Sequence, residues 1–254
     1  MDSFYHRWLA VWSRNALVWR KSLKTALLGG FADPVLSLFA LGYGLGGLVG
    51  DVDGVPYIAF LTAGILSLSA MNAATFEGLY LAYTRMAVLK TWDGMMAAPL
   101  SLSDVVMGEL LWMGTKSLIN ASLILLVALG AGLTTGWAAL GVLPMAFLAG
   151  LCFGAMALVV TSYAQSYDFF VYYITLGVTP MILLSGVFFP QNALPEAIRL
   201  GSACLPLHHV VELIRPLLSG RFDWPLLTHL AVPAGFALFA TLFAIWRFER
   251  RLLQ

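Results

Sequence analysis

Long apolar runs separated by short polar breaks dominate this chain. They fall at about 27–49, 56–83, 105–130, 137–163, 169–189 and 225–246. Each is about twenty residues or more, the length that crosses a hydrocarbon core of about 30 Å. Each is continuous rather than alternating, so the pattern predicts helices, which satisfy their own backbone in lipid. The expected fold is all-α, a polytopic membrane protein with six transmembrane helices forming one domain over 1–254.

Three of the polar breaks carry structure of their own. On a helical wheel of residues 4–24, Phe4, Tyr5, Trp8, Trp12, Trp19 and Leu23 share one side. Arg7, Arg14, Arg20, Lys21, Lys24 and His6 share the other, with Leu17 out of pattern. This predicts an N-terminal interfacial amphipathic helix, aromatics at headgroup depth and cations toward anionic lipid. "GGFADP" then supplies a corner, with Asp33 as N-cap and Pro34 as first helical residue. Between the second and third runs lies the segment 84–104, containing "KTWDGMMAAPLSLSD". A short helix over about 90–99 is expected there, with Trp92, Met95 and Met96 exposed at its tip beside Lys90, Asp93, Gly94 and Pro99. The third break, 190–224, is punctuated by Pro190, Pro195, Pro206 and Pro216. Two short helices fit between these prolines, about 194–203 and 207–218. Leu194, Ile198 and Leu200 in the first, and Val210, Val211, Leu213, Ile214 and Leu217 in the second, make both too apolar for free loops. They are too short to span, so they are expected as outer re-entrant or interfacial helices packed on the bundle.

Composition agrees: 60% of residues are hydrophobic and 11% charged, against about 45–50% and about 25% in soluble domains. A net charge of +1 offers nothing to nucleic acid. The basic residues set an orientation. Arg7, Arg14, Arg20, Lys21 and Lys24 precede the first run, Arg85 and Lys90 follow the second, and Arg247, Arg250 and Arg251 follow the sixth. The loops "GDVDGVP" and "GAGLTTGW" have none. Both ends and 84–104 are thus expected in the cytoplasm of a bacterial inner membrane protein; the 190–224 loop, with Arg199, Arg215 and Arg221, departs from the bias. A first apolar run that follows about 25 residues rich in Trp and Arg is unlike a cleavable signal peptide.

The candidate chemistry is sparse. The lysines are 21, 24, 90 and 116, and none follows a glycine. A P-loop needs Gly-Lys to reach the phosphates, so nucleotide is not hydrolysed here by that route. "GYGLGG" has the spacing of a dinucleotide loop but no strand before it; Gly42 and Gly46 read instead as close helix packing. Charged groups inside spans are functional candidates. Glu77, Glu109 and Lys116 qualify, as a Glu77–Lys116 pair between neighbouring helices or as a polar lining at the entrance for a substrate headgroup. "DVDG" reads as a turn. His208 and His209 are adjacent in sequence, His6 and His229 have no evident partner, and no metal set emerges. Cys152 and Cys204 fit no disulfide framework.

At this point a family resemblance becomes visible. "LSGVFFPQNALPEAIRLGSACLPLHHVVELIRPLLSG" resembles the signature of type-2 ABC exporter permeases, carried here by Gly186, Phe189, Pro190, Leu194, Pro195, Pro206 and Arg215. "TRMAVLKTWDGMMAAPLSLSDVVMGELLW" is similar to their cytoplasmic loop. "TWDGMM", "GELLWMGTKSL" and "YDFFVYYITLGVTPMILLSGVFFP" are similar to the branch that exports nodulation factors, which are lipo-oligosaccharides. The resemblance covers nearly the whole chain. It implies a half-transporter: two permease copies with two separate ABC ATP-binding subunits, which hold ATP and magnesium, while this chain binds no cofactor. It implies a cytoplasmic coupling helix at 90–99, whose usual Glu-Arg or Lys-Arg pair is reduced here to Lys90. An amphiphilic or glycolipid substrate would move outward past residues such as Tyr43, Phe60, Met71 and Phe76, in contact with membrane lipids. Three other readings stay open: a multidrug efflux permease of the same family, a lipid-linked transferase using "DVDG", and a passive channel.

Overall fold

The computed structural model describes residues 7–252, apart from 53, 135 and 221–225. Phe4, Tyr5, His6, Asp53 and Arg221 of the readings above lie outside the described residues. Helix α1 (Arg7–Lys21) runs into α2 (Leu23–Val49), and a two-residue hairpin pairs β1 (Asp51–Val52) with β2 (Val55–Pro56). Then come α3 (Tyr57–Val88), α4 (Thr91–Met96), α5 (Leu102–Gly130) and α6 (Trp137–Tyr163). Helices α7 (Phe169–Leu184), α8 (Glu196–Ser202), α9 (Pro206–Leu218) and α10 (Leu226–Leu252) complete the chain.

Among the described residues, five helices are long and apolar enough to cross a membrane: α2, α3, α5, α6 and, from Thr228 onward, α10. The expected fifth run is shorter than 169–189. Helix α7 stops at Leu184 because Gly186, at φ +77°, turns the chain out of the helix. At about 1.5 Å per residue it spans about 24 Å, less than the hydrocarbon core.

The bundle core is α3, α5 and α6 packed on one another, with α10 along α6 and α2 along α3. These contacts rest on small residues. A Cβ at Gly150 would lie 2.7 Å from the Gly114 Cα, so α5 and α6 approach nearly backbone to backbone. Helices α2 and α10 are largely exposed along their apolar length, which suits lipid or another chain rather than water.

Two expectations about the first helix change. No corner forms at "GGFADP": the break is at Ser22, and α2 runs straight through Pro34. Asp33 is therefore mid-helix and caps nothing. Lipid offers no competing hydrogen bonds, so a helix there tolerates an internal proline better than breaking. The prolyl ring removes one backbone donor and frees the Gly30 carbonyl. Gly42 does pack closely, on Ile58, whereas Gly46 faces no neighbour among the described residues.

Candidate functional site: a buried charge network at the basic end

The basic end of the bundle gathers α1, α4, the end of α3 and the start of α5. Helix α1 docks on α5 through its tryptophan side. Gly108 makes the approach possible: a Cβ there would meet Val11 at 2.5 Å and the Trp8 carbonyl at 2.6 Å. Trp12 donates its indole N–H to Thr115 Oγ1 at 2.9 Å. Trp19 lies edge-on to Trp112, with the Lys116 ammonium 5.7 Å from its ring. This corrects the wheel reading. The aromatic side of α1 packs on α5, through the Trp12 indole N–H bond and the Trp19–Trp112 ring contact. Lys21 is exposed and Arg7 half-buried, while Arg14 donates to Asn15. Partial burial and the neighbouring Arg85 lower the Arg14 pKa, opposed by Glu109.

Behind α1 is a network that includes all three in-membrane candidates. Glu109 is wholly buried and accepts from Arg85 Nε at 2.8 Å, Arg85 Nη2, Trp92 Nε1 at 3.2 Å and Asn15 Nδ2 at 3.1 Å. Glu77 accepts from Arg85 Nη2 and from Trp112 Nε1, each at 3.0 Å, and its other oxygen lies 3.4 Å from Lys116 Nζ. Two carboxylates thus face one guanidinium and one ammonium. The four formal charges sum to zero, the condition under which such groups persist out of water.

Arg85 is the hub, and it lies where the sequence predicted a loop. The second helix instead continues to Val88, with widened turns at Glu77–Ala82 and Thr84–Val88. Such i→i+5 turns are rare and concentrate at functional places. They serve geometry here. A regular helix would set positions eight apart about 80° out of line; wider turns bring Glu77 and Arg85 back toward one face.

The expected exposed tip is also corrected. Lys90, at φ 52°, makes the left-handed corner into α4. Trp92 is then wholly buried, between Glu109 and the Phe248 ring at 5.0 Å, edge to face. Met95 and Met96 are half-buried against the core, and the exposed surface is Asp93, Gly94, Ala97, Ala98 and Pro99. Trp92 is buried because its N–H has a carboxylate acceptor inside. A sequence window cannot show a partner seventeen residues away. Ser101 and Asp104 close the segment with a reciprocal capping box that starts α5.

Beside the network lies a cleft of about 500 Å3 between α2, α3 and α5. Glu77 and Lys116 form its inner wall, with Asn72, Asn120, Ser69 and Asp33 adding polar groups and Trp19, Phe76 and Tyr80 adding rings. Of the suggested path residues, Phe76 lines this cleft, Phe60 and Met71 are buried core, and Tyr43 is exposed near the far end.

That far end holds the 190–224 signature. Gly186 offers its carbonyl to Arg215 Nη2 at 2.8 Å, and Arg215 also pairs with Glu212 and lies 4.1 Å from the Phe60 ring. Pro206 opens α9, which buries a full apolar face on α3, α6 and α10. Phe189, Pro190 and Leu194 are half-buried, whereas Pro195 is exposed. The first short helix departs from expectation: α8 buries only Ser202, leaving Ile198 and Leu200 exposed. Seven residues present too little surface for packing. Sequence reasoning also missed Asn15, and Arg251, whose guanidinium caps the carbonyls of Thr161, Ser162 and Ala164 at the end of α6. A polar residue amid the tryptophans of α1 was the available signal for Asn15.

A bundle of long apolar helices, with an entry helix docked on α5 and a short helix between its second and third long helices, is the architecture of a polytopic membrane protein. The ABC-2 type transporter family model matches residues 6–218, and the chain belongs to that family. It is 43% identical over 254 residues to Nodulation protein J of Bradyrhizobium diazoefficiens, covering 100% of this chain and 97% of that protein. It is 42% identical over 247 residues to Nodulation protein J of Sinorhizobium fredii, covering 97% and 94%. The protein of the same name from Rhizobium leguminosarum bv. viciae is 44% identical over 247 residues, covering 97% and 95%. The chain is thus an ABC exporter permease, a multi-pass membrane subunit.

Proposed function

We propose that two copies of this chain, with two separate ATP-binding subunits that hold ATP and magnesium, export an amphiphile across the bacterial inner membrane. The basic end, with both termini and α4, faces the cytoplasm. The cargo is a lipo-oligosaccharide or related glycolipid. Its class is supported by the likeness to Nodulation protein J and by a cleft that joins polar groups and rings to an apolar surround.

One observation carries the reading: an unbroken chain of polar contacts runs from Trp92 on α4 through Glu109, Arg85 and Glu77 to Lys116 on the cleft wall. The partner touches the exposed turn of α4, at Asp93, Gly94 and Pro99, with Lys90 setting the angle of the helix. A push there cannot be absorbed locally, since Trp92 is clamped between α5 and α10. It moves α3 and α5 together and reshapes the cleft between them.

Gly94 provides the test, since a Cβ there meets nothing within 4 Å. Gly94→Arg should leave the permease folded by circular dichroism and gel filtration, yet abolish co-purification of the ATP-binding subunit and glycolipid export from inverted vesicles. Wild-type capture and export by that variant would refute the docking surface. Full capture and ATP hydrolysis with no glycolipid-dependent stimulation would refute the cargo.

A further inference from the structure

At the far end of the bundle, three histidines from two helices meet. His209 on α9 and His229 on α10 place their Nδ1 atoms 2.9 Å apart, and His209 Nε2 lies 2.8 Å from the Ala203 carbonyl that ends α8. His208 stands beside both, its ring 5.2 Å from that of His209 and 6.0 Å from that of His229. This contact ties α8, α9 and α10 together, at the opposite end from the charge network.

The two distances restrict the protons. A carbonyl only accepts, so His209 Nε2 carries hydrogen in every state. Neutral His209 therefore presents a bare Nδ1, and His229 must donate to it from Nδ1–H. One added proton is accommodated: with His209 charged, its Nδ1–H donates to a bare His229 Nδ1, and the bond becomes charge-assisted and stronger. A second proton puts N–H against N–H and cation against cation, so the bond cannot persist.

We infer that the His209–His229 pair is a proton-counting latch, closed with none or one added proton and opened by the second, which releases α9 from α10. Among the described residues, Glu212 and Arg215 on α9 are the charged side chains that act on the cluster, and Cys204 is exposed just before α9. Burial lowers the His208 pKa; Glu212 opposes this, and His209, His229 and Arg215 add to it. Its Nδ1 is buried with no hydrogen-bond partner among the described residues. A histidine held neutral by the fold contributes stability above its unfolded pKa of about 6.5 and loses it as the pH falls. His208 thus reinforces the same direction: acid opens this end.

The inference stands apart from the transport reading and is tested without ATP or cargo. The full chain is placed in lipid nanodiscs, and hydrogen exchange is measured over 206–218, corrected for intrinsic rates. Protection should fall about tenfold between about pH 7.5 and about pH 5, the equivalent of one lost hydrogen bond. His229→Gln, which removes one titrating partner of the pair, should show lower protection at neutral pH and a clearly smaller fall on acidification, the remainder coming from His208. In wild type, nitrogen-15 imidazole spectra should show His209 Nε2 protonated throughout and the Nδ1 pairing lost only at the second step. This arm stands alone should the variant unfold. A flat wild-type profile, the same fall in His229→Gln, or a loss of protection on adding EDTA at neutral pH would each overturn the latch.

Discussion

Replacing Glu109 by Gln removes one charge and almost no volume from the centre of the network. Glu109 accepts four hydrogen bonds, two from Arg85 and one each from Trp92 and Asn15. Glutamine offers one acceptor oxygen, and its amide N–H2 faces groups that are all donors. The network changes from neutral to +1 in a largely buried site. Breaking a buried pair in this way costs about 3–5 kcal/mol, and Arg85 keeps Glu77 at 3.0 Å, so the lower end is expected. Trp92→Phe deletes a single N–H donated to a carboxylate, worth about 1.5–3 kcal/mol. In the double variant the indole would already face a weakened acceptor, so the two losses should overlap by about 1 kcal/mol or more. Equilibrium unfolding in mixed detergent and SDS micelles, followed by far-UV circular dichroism, measures all four proteins. Losses that add within about 0.5 kcal/mol would mean that Trp92 and Glu109 do not communicate, and the path from α4 to the cleft would fail.

Three more substitutions probe neighbouring parts of the argument. Gly108→Ala should lift α1 from α5 and cost about 1–3 kcal/mol, read as faster hydrogen exchange over 7–21; Val11→Ala added to it should restore little, since the Cβ at position 11 and the Trp8 carbonyl still block. Lys90→Gly should relieve a left-handed corner and stabilise by up to about 1 kcal/mol, whereas Lys90→Val should destabilise, both measured by the same unfolding assay. Gly186→Ala should cost about 1–2 kcal/mol for its positive φ and loosen Arg215 from the turn after α7, seen as raised exchange at residues 186–190 with α1 unaffected.

Much of this molecule is legible in its residues. Runs of apolar side chains locate the long helices within a few positions, Pro206 marks the start of α9, and lysine and arginine gather at one end. The fold decided the rest. Arg85 lies in a helix rather than a loop because a buried carboxylate pair rewards extending α3. Trp92 points inward because Glu109 waits there, and Trp12 and Trp19 pack on α5. His229 finds His209 only once α9 and α10 pack. The reason is general to helices in lipid. Where both the bilayer and the bundle interior are apolar, hydrophobic periodicity no longer tells which face meets protein. That choice falls to small residues that let helices close and to polar groups whose partners lie far along the chain, and neither is visible in a local window.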